Sequence, residues 1–389
     1  MEYIALKDVC EIKMGQSPDS SSYNDSEEGI PFFQGNADFG ERYPVPRVWC
    51  NAPTKIAESG DILISVRAPI GALNYAKEEC CIGRGVAALT PNGSKVLSGF
   101  VFWLLKSKKE ELNSKGTGST FKAIGRKVLE ETMIPNIDKN EQHKCVYVLD
   151  KTYSVIQRRK REIQLFDELI KARFVEMFGS INNNIYKYEI KTLQDVCEKI
   201  KDGTHQTPIY TEDIENGFKF LSSKDVTTGK IDWSNIKYIT AELHEKLYEK
   251  IKPRKGDILL AKNGTTGVAA VVEKEEVFDI YVSLALLRPI DINSVYLWAA
   301  INSDETKNQF NRSLKGIGVP NLHLGEIKNT KIIVPPIALQ NQFADFVHQI
   351  DKSKLFAKIY LKNIAILLTI CSIMNENTNG KMGRRLYDN

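Results

Sequence analysis

Carboxylates, imidazoles and thiols are the groups with which a soluble chain usually does chemistry, and here their spacing matches no catalytic pattern. The five histidines, His143, His205, His244, His323 and His348, are scattered, without the close pairing of a metal site or a triad. Pro18-Asp19 resembles a nuclease carboxylate, but the nearest Glu-x-Lys, Glu11-Ile12-Lys13, precedes it in the wrong order. There is no Gly-x4-Gly-Lys-Ser/Thr phosphate loop, no Asp/Asn/Ser-Pro-Pro-aromatic aminomethylation motif and no His-Glu-x-x-His zinc pattern. Gly116-Thr117-Gly118 and Gly316-Ile317-Gly318 look like pieces of a nucleotide-binding fingerprint, but the strand, third glycine and helix are missing, which favours a turn specific to a repeat. Seven cysteines, including adjacent Cys80 and Cys81 but no Cys-x-x-Cys pair, read as reduced core thiols of a cytoplasmic protein. The expectation is a chain with no catalysis and no cofactor of its own.

Repetition carries more information. Residues 60–67 read GDILISVR and residues 256–263 read GDILLAKN. Leu6-Lys7-Asp8-Val9-Cys10-Glu11 returns as Leu193-Gln194-Asp195-Val196-Cys197-Glu198, each followed by a glycine and then a proline. Leu89-Thr90-Pro91 answers to Leu287-Arg288-Pro289, and Ile134-Pro135-Asn136-Ile137 to Val334-Pro335-Pro336-Ile337. The offset grows from 187 at Leu6/Leu193 to 196 at Gly60/Gly256 and 200 at Gly116/Gly316, as loop insertions between fixed strands would produce. Several phrases in one order predict an internal duplication.

Each copy has two textures. Short runs such as 30–33, 61–66, 85–90, 257–261 and 268–273 are bounded by Gly, Pro and Asn and predict strands, with short helices at 97–107 and 294–303. A long helix then follows. In the first copy Asp138 and Glu141 have capping-box spacing, and Leu149, Ile156, Ile163, Ile170 and Met177 recur every seven residues, with Phe166 and Phe174 filling the seam. In the second, Phe343, Phe346, Ile350, Tyr360, Ile364, Leu367 and Met374 make the stripe. The two stripes can pack on each other, or each on its own domain. The basic run 157–161 lies inside the first helix and reads as its solvated face. The predicted organisation is α+β: a strand-rich domain 1–135, a long helix 136–179, a second strand-rich domain 180–334, a second helix 335–375 and a tail 376–389. With 389 residues, 42% hydrophobic and 26% charged, the chain suits two or three globular domains, and a net charge of +4 permits a nucleic-acid partner without requiring one. The most apolar stretch, 364–374, is too short to span a bilayer, the first residues lack a signal-peptide pattern, and no membrane is implied.

These stretches resemble a known family, the specificity subunits of type I restriction-modification systems. The resemblance rests on LKDVCEIKMGQSP, IPFFQGNAD, GDILISVRAPIG, CIGRGVAALTP, GTGSTFKAIG and the proline-led helix, with their counterparts LQDVCEKIKDGTHQTP, GFKFLSSKDVTTG, GDILLAKNGTTG and VPPIALQNQF, and covers residue 1 to about residue 355. The tail from about residue 361 departs from it, lacking the usual charged end of the second helix. The resemblance implies two target-recognition domains spaced by two long antiparallel helices in a pseudo-twofold chain. It also implies double-stranded DNA as ligand, and methyltransferase and restriction-translocase subunits as the partners that do the chemistry. Divergence between the copies implies an asymmetric, bipartite target, its half-sites roughly one helical turn apart centre to centre. The alternative is a duplicated coiled-coil scaffold for protein interaction with no nucleic-acid role.

On the DNA reading, basic and amide side chains in loops are the expected contacts, Lys and Arg to phosphates, and Gln, Asn, Arg and Lys to base edges. In the first copy these are Gln34, Asn36, Arg67, Arg84, Lys122 and Arg126; in the second, Lys224, Lys262, Asn263, Thr265, Thr266, Lys315 and His323. An ordinary solvated surface role is the competing reading for each.

Overall fold

A computed structural model describes residues 2–118, 122–206, 208–313 and 321–378, with side chains as far as Ile364. The chain divides into two compact units, one of Met1–Arg158 with Ile364–Asn389, the other of Arg159–Asn363.

In the first unit the GDIL segment forms the strand Ile62–Ser65. It lies inside an antiparallel sheet ordered Cys10–Met14, Val86–Pro91, Ile62–Ser65, Leu73–Tyr75. Both faces of this strand are covered, which is why its apolar run is unbroken rather than alternating. Ile62 and Ile64 join Phe100, Val101 and Leu105 of the helix Ser98–Ser107, while Leu63 packs with Phe33, Ile82 and Ala88 on the other side. Phe33 and Ile82 come from a second sheet, ordered Tyr23–Asn24, Trp49–Cys50, Ile30–Phe33, Cys80–Ile82, Ile56–Ala57, whose pair Ile30–Phe33 and Cys80–Ile82 is parallel.

The second unit repeats this plan. Cys197–Asp202, Leu284–Pro289, Ile258–Ala261 and Ala269–Val271 form the first sheet in that order, and Phe218–Leu221 pairs in parallel with Phe278–Ile280 in the second. A bulge between Cys197 and Lys199 takes up the one extra residue of CEKIKDG against CEIKMG. The expected short helices run Ser98–Ser107 and Ser294–Asn302.

The repeated phrases have physical causes. Gly60 and Gly256 open their strands at φ +90° and +89°, a turn that glycine enters without strain. The aspartate that follows is buried and closes the turn: Asp61 accepts the Glu58 N–H at 2.9 Å and Asp257 the Arg254 N–H at 2.9 Å. The remaining capacity of each carboxylate goes to the residue between Leu and Pro of the neighbouring strand. Thr90 donates its hydroxyl to Asp61 at 2.7 Å, and Arg288 donates Nε and Nη2 to Asp257 at 2.9 and 2.8 Å. Gly15 and Gly203 occur where two sheets meet backbone to backbone: a Cβ would lie 2.2 Å from the Gly83 carbonyl oxygen and 2.1 Å from that of Ile280.

The long helices span Lys139–Phe178 and Ile337–Thr378. Buried glutamines tie each to its unit. Gln142 accepts the Leu97 N–H and donates to the Ile137 carbonyl, and Gln340 accepts the Asn293 N–H and donates to the Pro335 carbonyl. Asp138 caps the first helix by accepting the Asn140 and Glu141 N–H groups, while Glu141, expected to close a capping box, turns instead to Lys144 at 2.6 Å. Within the second unit, the last turns of the first helix and the first turns of the second run antiparallel. Phe174 meets Phe343, Asp167 meets the Lys354 ammonium at 2.5 Å, and the Arg159 guanidinium lies over the Tyr360 ring at 5.3 Å. Ile170 and Phe174 of the expected stripe are buried. Of the stripe expected on the second helix, Phe343 is buried and Phe346 and Ile350 pack half-buried against the same core, whereas Tyr360 is exposed; Val347, Ala357 and Lys354, the last paired to Asp167, face inward without having been part of it. Leu367 and Met374 have side chains outside the described residues.

Candidate nucleic-acid interface

In the first unit the central strand delivers the chain to a rim where separate loops are joined by backbone hydrogen bonds. The Val66 N–H donates to the Gly85 carbonyl, the Ile124 N–H to the Val66 carbonyl and the Ala68 N–H to the Lys122 carbonyl, each at 2.9 Å, and Arg67 bridges Ala123. Gly85 rests directly on the next loop, since a Cβ there would lie 2.2 Å from the Gln34 carbonyl oxygen. This stitching brings exposed Gln34, Arg67, Arg84 and Lys122 to one rim. Asn36 joins them in the 3-10 turn Asn36–Asp38, held by the Asp38 carboxylate accepting the Gln34 N–H at 2.7 Å. Among the described residues neither Arg67 nor Arg84 has an ion-pair partner. Arg126 does: its Nε donates to Glu130 at 2.7 Å, one turn along its own helix.

The second unit repeats two of these bonds and the bridge. The Lys262 N–H donates to the Ser283 carbonyl at 2.8 Å, the Leu322 N–H to the Lys262 carbonyl at 3.0 Å, and Asn263 bridges Asn321. Asn263 therefore stands where the first unit has Arg67, and Ser283 where it has Gly85. Lys224 is exposed in the 3-10 turn Ser223–Val226, where the Asp225 carboxylate accepts the Ser222 N–H at 2.6 Å. Thr265 is exposed and Thr266 half-buried in the turn between Gly264 and Gly267, both at positive φ. His323 is exposed at the start of the helix Leu324–Asn329. Lys315 lies outside the described residues.

Lys262 departs from expectation. It is 5% exposed, and its ammonium is 2.8 Å from the Asp202 carboxylate, so it supports the rim from beneath rather than facing solvent. Asp202 also meets exposed His205 at 3.2 Å. Burial works to raise the Asp202 pKa, but the Lys262 ammonium and His205 outweigh it and hold the carboxyl below its ordinary value. Neither Asp202 nor His205 was expected here. The signal was their place in KDGTHQTP, the counterpart of KMGQSP, and only the fold pairs them with Lys262. The basic run of the first helix is locally engaged, with Arg159 at 2.6 Å from Glu162 and Arg161 at 3.2 Å from Glu168. Among the described residues no group of three or more His, Cys, Asp or Glu side chains is placed to hold a metal ion. No helix there is long and apolar enough to cross a membrane.

Residues 1–165 and 186–362 match the family model for the type I restriction modification DNA specificity domain. A protein of Methanocaldococcus jannaschii described as the MjaX type I restriction enzyme specificity subunit is 44% identical over 156 residues, covering 39% of this chain and 37% of that protein. The MjaIX specificity subunit of the same organism is 25% identical over 374 residues, covering 88% of this chain and 84% of that one. The chain thus spans well under two thirds of the first relative and most of the second. Among solved structures, the S subunit of a type I restriction-modification system from M. genitalium aligns over 94% of this chain and 93% of its own, with a TM-score of 0.57 and 16% identity, a likeness of fold.

Proposed function

This chain belongs to the family of type I restriction-modification DNA specificity domains, and from that premise we propose that it is the sequence-reading subunit of such a system, recognising a bipartite duplex target and leaving the chemistry to partner subunits. The observation that carries this is the doubled rim: two copies of one backbone framework carrying different polar side chains, exposed Gln34, Arg67, Arg84 and Lys122 in one, and exposed Lys224, Thr265 and His323 with half-buried Asn263 in the other. Two half-sites need two readers, and divergent readers make the half-sites differ.

The long helices are the proposed spacer between the recognition domains 1–135 and 180–334, with the antiparallel contacts Phe174–Phe343 and Asp167–Lys354 as support. The same helices leave Leu165, Leu169, Val175, Leu355 and Phe356 exposed, Phe356 by 74%. Apolar side chains at that density suit the docking of methyltransferase and restriction subunits. Such a complex works in the cytoplasm, beside the DNA it reads.

Site selection tests the proposal. The full chain, co-expressed with the modification subunit of its system, is incubated with duplexes carrying two randomised blocks and a variable spacer. The expected product is two dissimilar half-sites at one preferred spacing, bound with an affinity that falls steeply with salt as condensed counterions are displaced. Enrichment of no sequence, with salt-insensitive binding, favours the protein-interaction scaffold.

A further inference from the structure

We propose that the residue immediately past the buried end of the central strand, Arg67 in the first unit and Asn263 in the second, is a base-reading position in both, Arg67 directed to guanine and Asn263 to adenine. The inference rests on the DNA reading above and adds to it a chemical identity at one position of each half-site.

Equivalence comes first. Arg67 and Asn263 follow strands that are buried on both faces, form the same isolated bridge, to Ala123 and Asn321, and stand next to residues that make the same two backbone bonds. A side chain leaving a strand pinned on both sides starts from a fixed point, which base reading requires. Availability comes second. The neighbouring cations Lys262 and Arg126 are committed to Asp202 and Glu130, whereas the Arg67 guanidinium has no ion-pair partner among the described residues. The Asn263 amide oxygen is buried and receives no hydrogen bond from any described residue. A buried acceptor without a donor is costly, and turning this amide outward breaks no bond from a described residue to its oxygen. The turn after it contains Gly264 and Gly267 at φ +75° and +79°, so the backbone there has no Cβ to hold a base away.

Chemistry then separates the two. A guanidinium fork donates twice and matches the two acceptors, O6 and N7, on the major-groove edge of guanine. A carboxamide donates once and accepts once, matching N7 and the N6 amino group of adenine. The Asn263 oxygen is the half of that pair which no described residue satisfies.

The test measures binding of the full chain with its modification subunit to the selected target and to duplexes with each base pair changed in turn, for wild type, Arg67→Gln and Asn263→Asp. Glutamine matches adenine, and aspartate retains only the acceptor, which suits the cytosine amino group. Each variant is expected to lose a preference of roughly 5- to 150-fold at one position, guanine in one half-site for Arg67→Gln and adenine in the other for Asn263→Asp, with other positions unchanged. If either of these variants fails to fold, Arg67→Ala and Asn263→Ala remove the same contacts and are expected to lose the same preferences. Unchanged preferences at every position, or a uniform loss across all duplexes as for a phosphate contact, overturn the assignment while the DNA reading stands. A wild type that selects no sequence overturns both.

Discussion

The two units solve one buried-charge problem in two ways. Both keep an aspartate at the turn before the central strand, and both use one carboxylate oxygen to accept a backbone N–H at 2.9 Å. In the first unit a hydroxyl, Thr90, completes the site; in the second a guanidinium, Arg288, pairs with both oxygens and also donates to the Lys252 carbonyl at 2.9 Å. The fold demands the turn and its acceptor, and it tolerates any donor that reaches them. The same division holds at the rims, where identical backbone bonds carry Arg67 in one unit and Asn263 in the other. The two units thus share a framework and differ in the side chains it carries.

Removing each donor is the sharpest way to test that comparison. Arg288→Met leaves Asp257, 2% exposed, as an uncompensated charge, and breaking such a buried pair costs about 3–5 kcal/mol. Thr90→Val removes one neutral donor to a carboxylate, a loss of about 1.5–3 kcal/mol. Hydrogen exchange resolved by segment should show faster opening of Ile258–Ala261 and Leu284–Pro289 in the first variant, and of Ile62–Ser65 and Val86–Pro91 in the second, each confined to its own unit. Equal losses in the two variants would mean that the guanidinium contributes no more than a hydroxyl.

Next come the glycines, where the units should agree. Gly15→Ala and Gly203→Ala each drive a methyl group into neighbouring backbone carbonyl groups, and backbone cannot step aside as a side chain can. Both should destabilise their units by about 1–3 kcal/mol or more, as overpacking does. Denaturant titration with the same exchange readout checks this, and a marked asymmetry would show that the shared framework is less alike than its bonds imply.

What the sequence disclosed follows from what each element needs. GDIL announces itself because a positive-φ glycine, a turn-closing aspartate and a strand buried on both faces each restrict residue type. The role of Thr90 and Arg288 stayed hidden, because a hydroxyl and a guanidinium share no pattern and only register brings either to its aspartate. Gln142 and Gln340 were equally silent, being polar residues in helices that read by their apolar stripe. Lys354, buried beside Asp167, is missing from the expected stripe for the same reason. At the rim, exposed side chains such as Arg67 and Lys224 were legible as polar residues in loops. That Lys262 faces inward could not be read, since its carboxylate partner lies 60 residues away.

The smallest expected effect concerns that lysine and uses the first unit as a template. Backbone pairing places Asp202 where the first unit has Met14, and Lys262 where it has Val66. The Asp202 pKa lies below its ordinary value of 3.8, because the Lys262 ammonium and His205 outweigh the effect of burial. A carboxylate depressed in the folded state contributes stability that is fully present above its unfolded pKa and is lost as the pH falls through the folded one. The double variant Asp202→Met, Lys262→Val writes the first unit's pair into the second and removes this titration. Its absolute stability can move either way, since apolar replacement of a buried ion pair is often neutral or stabilising. The pH dependence has only one sign. The stability difference between wild type and double variant, measured by denaturant titration, should be constant above about pH 4 and shift against the wild type below it. A difference that stays flat down to about pH 2.5 would mean that the pair carries no net depression of the carboxyl and that the two rims are electrostatically alike at this position.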